Sequence, residues 1–269
     1  MSEFFESDWG GTTPTNFRSP VPWIKDAFLQ ARLAFSPKLS RIIDAARRQP
    51  PRRVLVVSVA VPGREAQLAS VIEGLSRSRH QVDVSTTPMK PQGKFANIDD
   101  AIRAARSPLS SYDWLIVTDD DIGFDANFLD TYLALAEAAD LALSQPAHRH
   151  ASHASFFFSR RRAGSLVRAS RFVEIGPLTA LRADTFADLV PFPPSKWCYG
   201  IDVLWSDIAR RRGWTIGIID AAPVSHLKPI AATYNMGAAI AEGHALLAAH
   251  GVKEGRREDL LQSWVVIPA

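Results

Sequence analysis

The chain has 269 residues, 46% of them hydrophobic and 22% charged, so it can bury one sizeable core and is not disordered in bulk. Its 31 Lys and Arg against 28 Asp and Glu give a net charge of +3, too small to indicate a nucleic-acid-binding protein. The single cysteine, Cys198, excludes an internal disulfide and fits a reducing compartment.

The start of the chain carries no signal for export. The stretch MSEFFESDWGG has acidic residues where a secretory signal is basic, and 18 uninterrupted apolar residues occur nowhere. We therefore predict a cytoplasmic protein that does not span a membrane.

In chain order, the sequence predicts three segments. Residues 1–51 form an arm followed by helices, which paired prolines close. Residues 52–229 form the core, and residues 230–269 form a C-terminal helical segment packed on it. The two helical flanks together offer a possible homodimer surface. The basic amphipathic stretch from Trp23 to Arg48 can pack on the core, which we favour, or make peripheral contact with membrane lipid.

Strands and helices alternate in the core. The strand RRVLVVSVAVPG, the helix REAQLASVIEGLSRS and the strand QVDVSTT form a βαβ opening. A helix over about 95–107, the strand DWLIVTDDD, a helix over about 126–139 and the strand LALSQPA follow. This alternation predicts an α/β fold with a mostly parallel sheet and helices on both faces.

Three consecutive aspartates end a central strand. Asp119, Asp120 and Asp121 follow WLIVT at the carboxyl end, the edge where open α/β sheets bind ligands. Like charges at this spacing repel one another, and Mg²⁺ or Mn²⁺ takes carboxylate oxygens readily. The alternative is a solvated strand end whose aspartates cap the next helix.

A second candidate region spans residues 197–229. Asp202 falls near the start of a helix, where its carboxylate can accept a proton from a hydroxyl nucleophile. Trp197 and Tyr199 can flank the apolar face of a sugar acceptor. The alternative makes Asp202 a helix N-cap and the aromatic rings part of the core. His226 follows a predicted strand, in a loop, as a structural histidine or as a nitrogen ligand.

The order of these motifs resembles the GT-A superfamily of nucleotide-sugar glycosyltransferases, from about Val54 to His226. The stretch QGKFANIDDA is similar to the G-K-x-x-A-x-N element of many such enzymes. Five pieces in order also resemble a domain family of unknown function common in plants, namely DDDIGF, LSQPA, FVEIGPLTALR, YGID and GIIDAAPVSH.

The resemblance implies a GT-A-like fold, a nucleoside diphosphate sugar donor, an unknown acceptor, and Mn²⁺ or Mg²⁺ as cofactor. It implies roles for residues in three groups. The metal ligands are Asp119, Asp121 and His226, and the catalytic base is Asp202. Donor contacts come from Lys94, Asn97 and Asp120. The inverting pattern often has two adjacent acids where this chain has Ile201 and Asp202.

Residues 149–171 form an arginine-rich segment that carries no acidic residue. This segment can be a mobile loop that contacts the diphosphate or an anionic acceptor. The alternative is a solvated basic loop or a protein interface. Its HRHASH stretch invites a zinc interpretation but lacks cysteine partners. Glu174, which we expect a strand to carry toward the site, is a further acceptor-binding candidate, with a buried salt-bridge partner as the alternative.

Two other functions also fit the acidic motif. A phosphatase or phosphotransferase of the haloacid dehalogenase class uses D-x-D with the first Asp as nucleophile, but Gly123 stands where that class has Thr. A non-catalytic metal- or nucleotide-binding module is the other, since DDDIGFDANFLD superficially resembles a calcium loop.

Overall fold

The computed structural model describes residues 15–228, 235–253, 255 and 257–269. Its strands, in chain order, are β1 Arg53–Ala60, β2 Gln81–Pro88, β3 Trp114–Thr118, β4 Ile122–Gly123, β5 Leu143–His148, β6 Ser165–Ser170, β7 Leu178–Arg182, β8 Ile216–His226 and β9 Ser263–Pro268. Its α-helices are α1 Val21–Ala34, α2 Pro37–Arg47, α3 Glu65–Ser76, α4 Lys94–Arg103, α5 Phe128–Ala138, α6 Phe186–Leu189, α7 Ile201–Arg212, α8 Met236–Ala249 and α9 Arg257–Leu260.

One sheet organises the molecule, with the strand order β2-β1-β3-β7-β5-β8-β6-β9 and β4 paired with β8 off this path. β1 is parallel to β2 and β3, and β5 is parallel to β8. β7 and β6 are antiparallel to both neighbours. The strands β1, β2, β3, β5, β8 and β9 therefore share one direction, so the predicted mostly parallel sheet is confirmed.

Helices cover both faces of the sheet because side chains alternate along each buried strand. In β1, Val54 and Val56 pack with α1, α2, α3 and α5 on one face. Leu55 and Val57 pack with α4 and α7 on the other. All four side chains have no solvent exposure. The continuous apolar run of β1 thus anchors two hydrophobic layers.

The C-terminal segment contains an element that sequence reasoning missed. Besides α8, it forms β9, which pairs with β6 at one edge of the sheet and buries Ile267. The run WVVIP is short and mostly exposed, so its apolar pattern alone did not separate a strand from helix or loop. Within the described residues, no helix combines the length and apolar character needed to cross a bilayer.

Candidate functional site

The candidate site lies where two parallel strands end at the same edge of the sheet. Asp119 to Asp121 follow β3, and His226 is the last residue of β8. The prediction of a loop position for His226 was wrong, because Ile122 of β4 pairs with His226 and extends β8. The backbone N–H of Leu227 also donates to the carbonyl oxygen of Asp121, at 2.9 Å. This pairing brings residues far apart in the chain side by side.

Asp119, Asp121 and His226 form a compact group of possible metal ligands. One ligand atom of each lies within 4.8 Å of the others. His226 Nε2 is 3.2 Å from Asp121 Oδ1, and the Ser152 hydroxyl accepts from the His226 backbone N–H at 2.8 Å. Two carboxylates and an imidazole are a donor set that fits Mn²⁺ and also accommodates Mg²⁺. Among the described residues, this is where three such side chains converge.

Two aspartates of the cluster also have a cationic neighbour in the protein, and the third faces an imidazole. Lys94 Nζ lies 2.6 Å from Asp119 Oδ1. Arg64 Nη1 lies 3.3 Å from Asp120 Oδ1, and His226 faces Asp121. The acidic strand end is therefore tolerated through pairing as well as through any bound ion. Helix capping is not the explanation, because the N-cap of α5 is Asn127, without a side-chain cap bond.

Asp120 and Asp121 have pKa values shifted in opposite directions because their partners differ. Burial raises the pKa of Asp120, and the charges of Asp121 and Asp119 add to this, against the opposing effect of Arg64. Burial acts on Asp121 in the same direction, but the hydrogen bond and charge of His226 outweigh it and hold the pKa of Asp121 below its ordinary value. Asp121 is thus kept ionised, as a metal ligand must be.

The start of α4 places Lys94 at this cluster. Its N-cap, Gly93, has φ 97°, and a Cβ there would lie 2.2 Å from the carbonyl oxygen of Ser195. Only glycine allows this close approach of two backbones. Asn97, one turn later, is fully buried, and its Nδ2 donates to the Lys90 carbonyl oxygen at 3.0 Å. Lys94 therefore reaches the cluster, whereas Asn97 holds the preceding loop.

Asp202 lies inside the first turn of α7 and is not its N-cap. The N-cap is Gly200, with φ 84°, and Asp202 Oδ1 accepts from the Val203 backbone N–H at 3.0 Å. Burial raises the pKa of Asp202 to about 7, with the nearby charge of Glu174 adding to it. A carboxylate with this pKa can accept a proton near neutral pH.

A buried polar group, whose association the sequence did not indicate, contains His148, Glu174 and Gln145. His148 Nε2 is 3.8 Å from Glu174 Oε2, and the His148 ring centroid is 6.4 Å from that of His226. Gln145 Oε1 accepts from the Glu174 backbone N–H at 2.6 Å. Several atoms near this group have no hydrogen-bond partner among the described residues: Gln145 Nε2, both His148 ring nitrogens, Glu174 Oε1 and His226 Nδ1.

Glu174 itself lies in the loop between β6 and β7, not on a strand as predicted. Only 4% of the residue is exposed, and its carboxylate faces His148. A buried partner role was the alternative for Glu174, and these contacts favour it. Its acceptor contact stays a prediction.

The loop that carries Trp197 and Tyr199 before α7, called the aromatic loop below, is held by a residue that the sequence did not single out. Glu242 of α8 accepts from the backbone N–H groups of Lys196 at 2.8 Å and Trp197 at 2.7 Å. Trp197 and Tyr199 are half-buried, so neither ring is wholly core. Burial and the charge of Asp202 raise the pKa of Tyr199 to about 12. α8 thus fixes the loop that leads into Asp202.

Three arginines of the arginine-rich segment are buried and structural, which the predicted roles did not include, whereas Arg162 and Arg171 are exposed. Arg168 is fully buried and pairs with Asp220 at 2.8 Å. Arg160 is buried and donates to the carbonyl oxygens of Arg149 and His150. Arg161 is buried too. A guanidinium carries five N–H donors, so a buried arginine can donate hydrogen bonds to several backbone carbonyl oxygens. Counting charges in the sequence cannot show whether an arginine has this buried role.

No protein-family model and no curated protein matches this chain. Among solved structures, GalNAc-T7 with UDP, GalNAc and Mn²⁺ is 10% identical over 67% of this chain and 45% of that chain, with a TM-score of 0.49. S. aureus TarS is 9% identical over 64% of this chain and 59% of that chain, with a TM-score of 0.44. A mycobacterial protein is 18% identical over 81% and 80%, with a TM-score of 0.47.

The sheet order and the helices on both faces confirm the predicted α/β class, with a mostly parallel sheet. The chain spans less than two thirds of GalNAc-T7 and of TarS. Every TM-score is below 0.5, so the function proposed below depends on this chain's own residues. The similarity to a plant domain family stays a prediction.

Proposed function

We propose that the chain is a metal-dependent glycosyltransferase that moves a sugar from a nucleoside diphosphate sugar to an acceptor hydroxyl. The observation that carries this proposal is the convergence of Asp119, Asp121 and His226 within 4.8 Å at the ligand-binding edge of the sheet. Asp202, whose pKa is raised to about 7 by burial and by the charge of Glu174, would serve as the base, and Glu174 faces His148, whose ring centroid is 6.4 Å from that of His226.

The part of the site around Asp119 and Asp121 is suited to binding the donor. Asp119, Asp121 and His226 would hold Mn²⁺ or Mg²⁺, which supplies a counter-charge to the leaving diphosphate. Lys94, 2.6 Å from Asp119, adds a positive charge at the same place and can donate to a phosphate oxygen. Asn97 and Asp120 are buried, so their donor contacts stay predictions.

The part of the site around Asp202 is suited to proton transfer. Asp202 would accept the proton of the acceptor hydroxyl as the new bond to the sugar forms, which is a contribution of roughly 10² to 10⁴-fold. Burial, and to a smaller extent the negative charge of Glu174, raises the pKa of Asp202 and so its proton affinity. Trp197 and Tyr199, on the loop that Glu242 holds, would pack against the apolar face of the acceptor.

A thermal-shift panel of UDP, GDP, CDP and ADP, each with and without Mn²⁺, tests the proposal. One nucleotide should raise the Tm only together with Mn²⁺, because binding to the folded state stabilises it. Asp121→Asn and His226→Ala should remove this shift, whereas Asp44→Asn, an exposed aspartate of α2, should keep it.

Three outcomes would contradict the transferase. They are stabilisation by Ca²⁺ alone, a phosphate trapped covalently on Asp119, and a nucleotide shift that survives Asp121→Asn and His226→Ala. The first favours a calcium-binding module and the second a phosphatase. The predicted homodimer is independent of this test and stays a prediction.

A further inference from the structure

α1 is oriented so that it buries an aspartate. Asp26 is only 5% exposed, and its carboxylate accepts from the backbone N–H groups of His150 at 3.0 Å and Ala151 at 2.8 Å. Arg161 Nη1 lies 3.7 Å from the same carboxylate. Leu33 is the other buried residue of the helix. These contacts fix the rotation of α1 about its axis.

The opposite side of α1 is apolar and exposed. Trp23 is 56% exposed, Ile24 63%, Phe28 60% and Phe35, just beyond the helix end, 85%. Ile24, Phe28 and Phe35 are four and seven residues apart and therefore lie on one stripe. A helix at a protein surface normally turns such a stripe inward. Here the polar anchor faces inward and the aromatic stripe faces outward.

Two grooves flank Phe28 on this side. One has a volume of about 450 Å³ and includes Phe35 in its lining. The other has a volume of about 400 Å³ and includes Phe157, which is 74% exposed. Both grooves share Phe28, Leu29 and Arg162. The apolar surface is thus broader than the helix alone.

Among the described residues that line the two grooves, the exposed charged side chains are basic. They are Lys25, Arg32 and Arg162, and the Arg32 guanidinium carbon lies 5.9 Å from the centroid of the Phe28 ring. Asp220, the acidic residue in this lining, is buried and paired with Arg168 at 2.8 Å, and Asp26 of α1 is buried as described. An apolar stripe with a basic border is complementary to an anionic lipid surface.

We propose that the α1 face, defined by Trp23, Ile24, Phe28, Phe35 and Phe157, docks on an anionic lipid bilayer. Aromatic side chains are favoured at the level of the lipid head groups, and lysine and arginine contact the phosphates there. A second copy is a poorer partner, because a twofold interface would bring the same basic border together from both copies. This inference does not depend on the transferase activity.

Sedimentation of the full chain with lipid vesicles tests this surface. Vesicles of phosphatidylcholine with phosphatidylglycerol should bind the protein, and phosphatidylcholine alone should bind it much less, with weaker binding at high salt. The double variant Trp23→Ala, Phe28→Ala should lose about tenfold or more in partitioning. The double variant Lys25→Gln, Arg32→Gln should lose roughly fivefold per charge removed.

Trp264→Ala is the matched control, because Trp264 is 51% exposed on β9 and lines neither of the two grooves beside α1. It should bind the anionic vesicles like the original chain. Circular dichroism checks that all the variants fold. Four results would overturn the proposal: no binding to the anionic vesicles, equal binding to the neutral ones, equal loss in Trp264→Ala, or a dimer in solution that the Trp23→Ala, Phe28→Ala variant dissolves.

Discussion

At the scale of single residues, Asp202 is where the proposed chemistry and the stability of the protein oppose each other. Burial and Glu174 raise its pKa to about 7. A carboxylate in an unfolded chain has a pKa of about 4, so the folded protein binds the Asp202 proton more tightly. The same shift that prepares Asp202 to act as a base therefore costs stability once it is ionised.

Asp202→Asn should abolish transfer while sparing donor binding. The amide cannot accept the proton, so kcat should fall by roughly 10² to 10⁴-fold. In the original chain, the transfer rate should rise with pH through about 7 as Asp202 ionises. Steady-state kinetics and calorimetric nucleotide binding measure the two properties separately. An equal loss of both would defeat the base assignment.

Asp202→Asn should also change how stability depends on pH. Because the folded pKa is raised, the contribution of Asp202 is fully favourable below about pH 4 and is lost as pH rises through about 7. Above that pH, the variant should be more stable than the original chain by roughly 1 to 2 kcal/mol, since Asp202 is only partly shielded from water. Urea unfolding at pH 5 and pH 8 measures this. A variant that is less stable at pH 8 than the original chain would refute the raised pKa.

At the scale of elements, the approach of Gly93 to Ser195 aligns the start of α4 with the aromatic loop. A Cβ at Gly93 would meet the Ser195 carbonyl oxygen at 2.2 Å and the Lys196 Cα at 2.8 Å. Lys94 follows immediately and contacts Asp119. The position of this lysine therefore depends on a backbone contact that only glycine permits.

Gly93→Ala should weaken nucleotide binding and destabilise the fold by roughly 3 kcal/mol, through strain and overpacking together. Gly213→Ala is the matched control, because Gly213 also has a positive φ, 68°, but a Cβ added there would have no other heavy atom within 4 Å. It should cost about 1 kcal/mol and leave nucleotide binding unchanged. Urea unfolding and titration with nucleotide and Mn²⁺ provide the measurements. Similar effects of both substitutions would show that the Ser195 contact is unimportant.

Elements with strong periodicity were predictable from the sequence. The strand at Arg53 and the helices before the paired prolines lie where their patterns indicated, because a long run buries a consistent face. The two-residue β4 is too short for such a signal, and the apolar run of β9 is mostly exposed and has no alternation that marks a strand. The strand position of His226 depends on β4, so it was missed for the same reason.

At the scale of the whole molecule, the sheet assembles the candidate site from distant parts of the chain. Motif order indicated Asp119, Asp121 and His226, and the structure brings them together. The buried pair His148 and Glu174 was not predictable as a pair, because its contact follows from strand order and not from local pattern. The burial of Arg168 against Asp220 likewise arises only when β6 and β8 pair.

In the proposed site, one divalent ion binds both the aspartates that follow β3 and His226 at the end of β8. The most direct measurement is anomalous diffraction at the manganese absorption edge from crystals grown with Mn²⁺ and the nucleotide selected by the thermal-shift panel. We expect one strong peak of anomalous difference density in contact with Asp119, Asp121 and His226. The substitution His226→Ala should remove this peak. No peak there, with His226 still bonded to Asp121 and the nucleotide bound elsewhere, would contradict it.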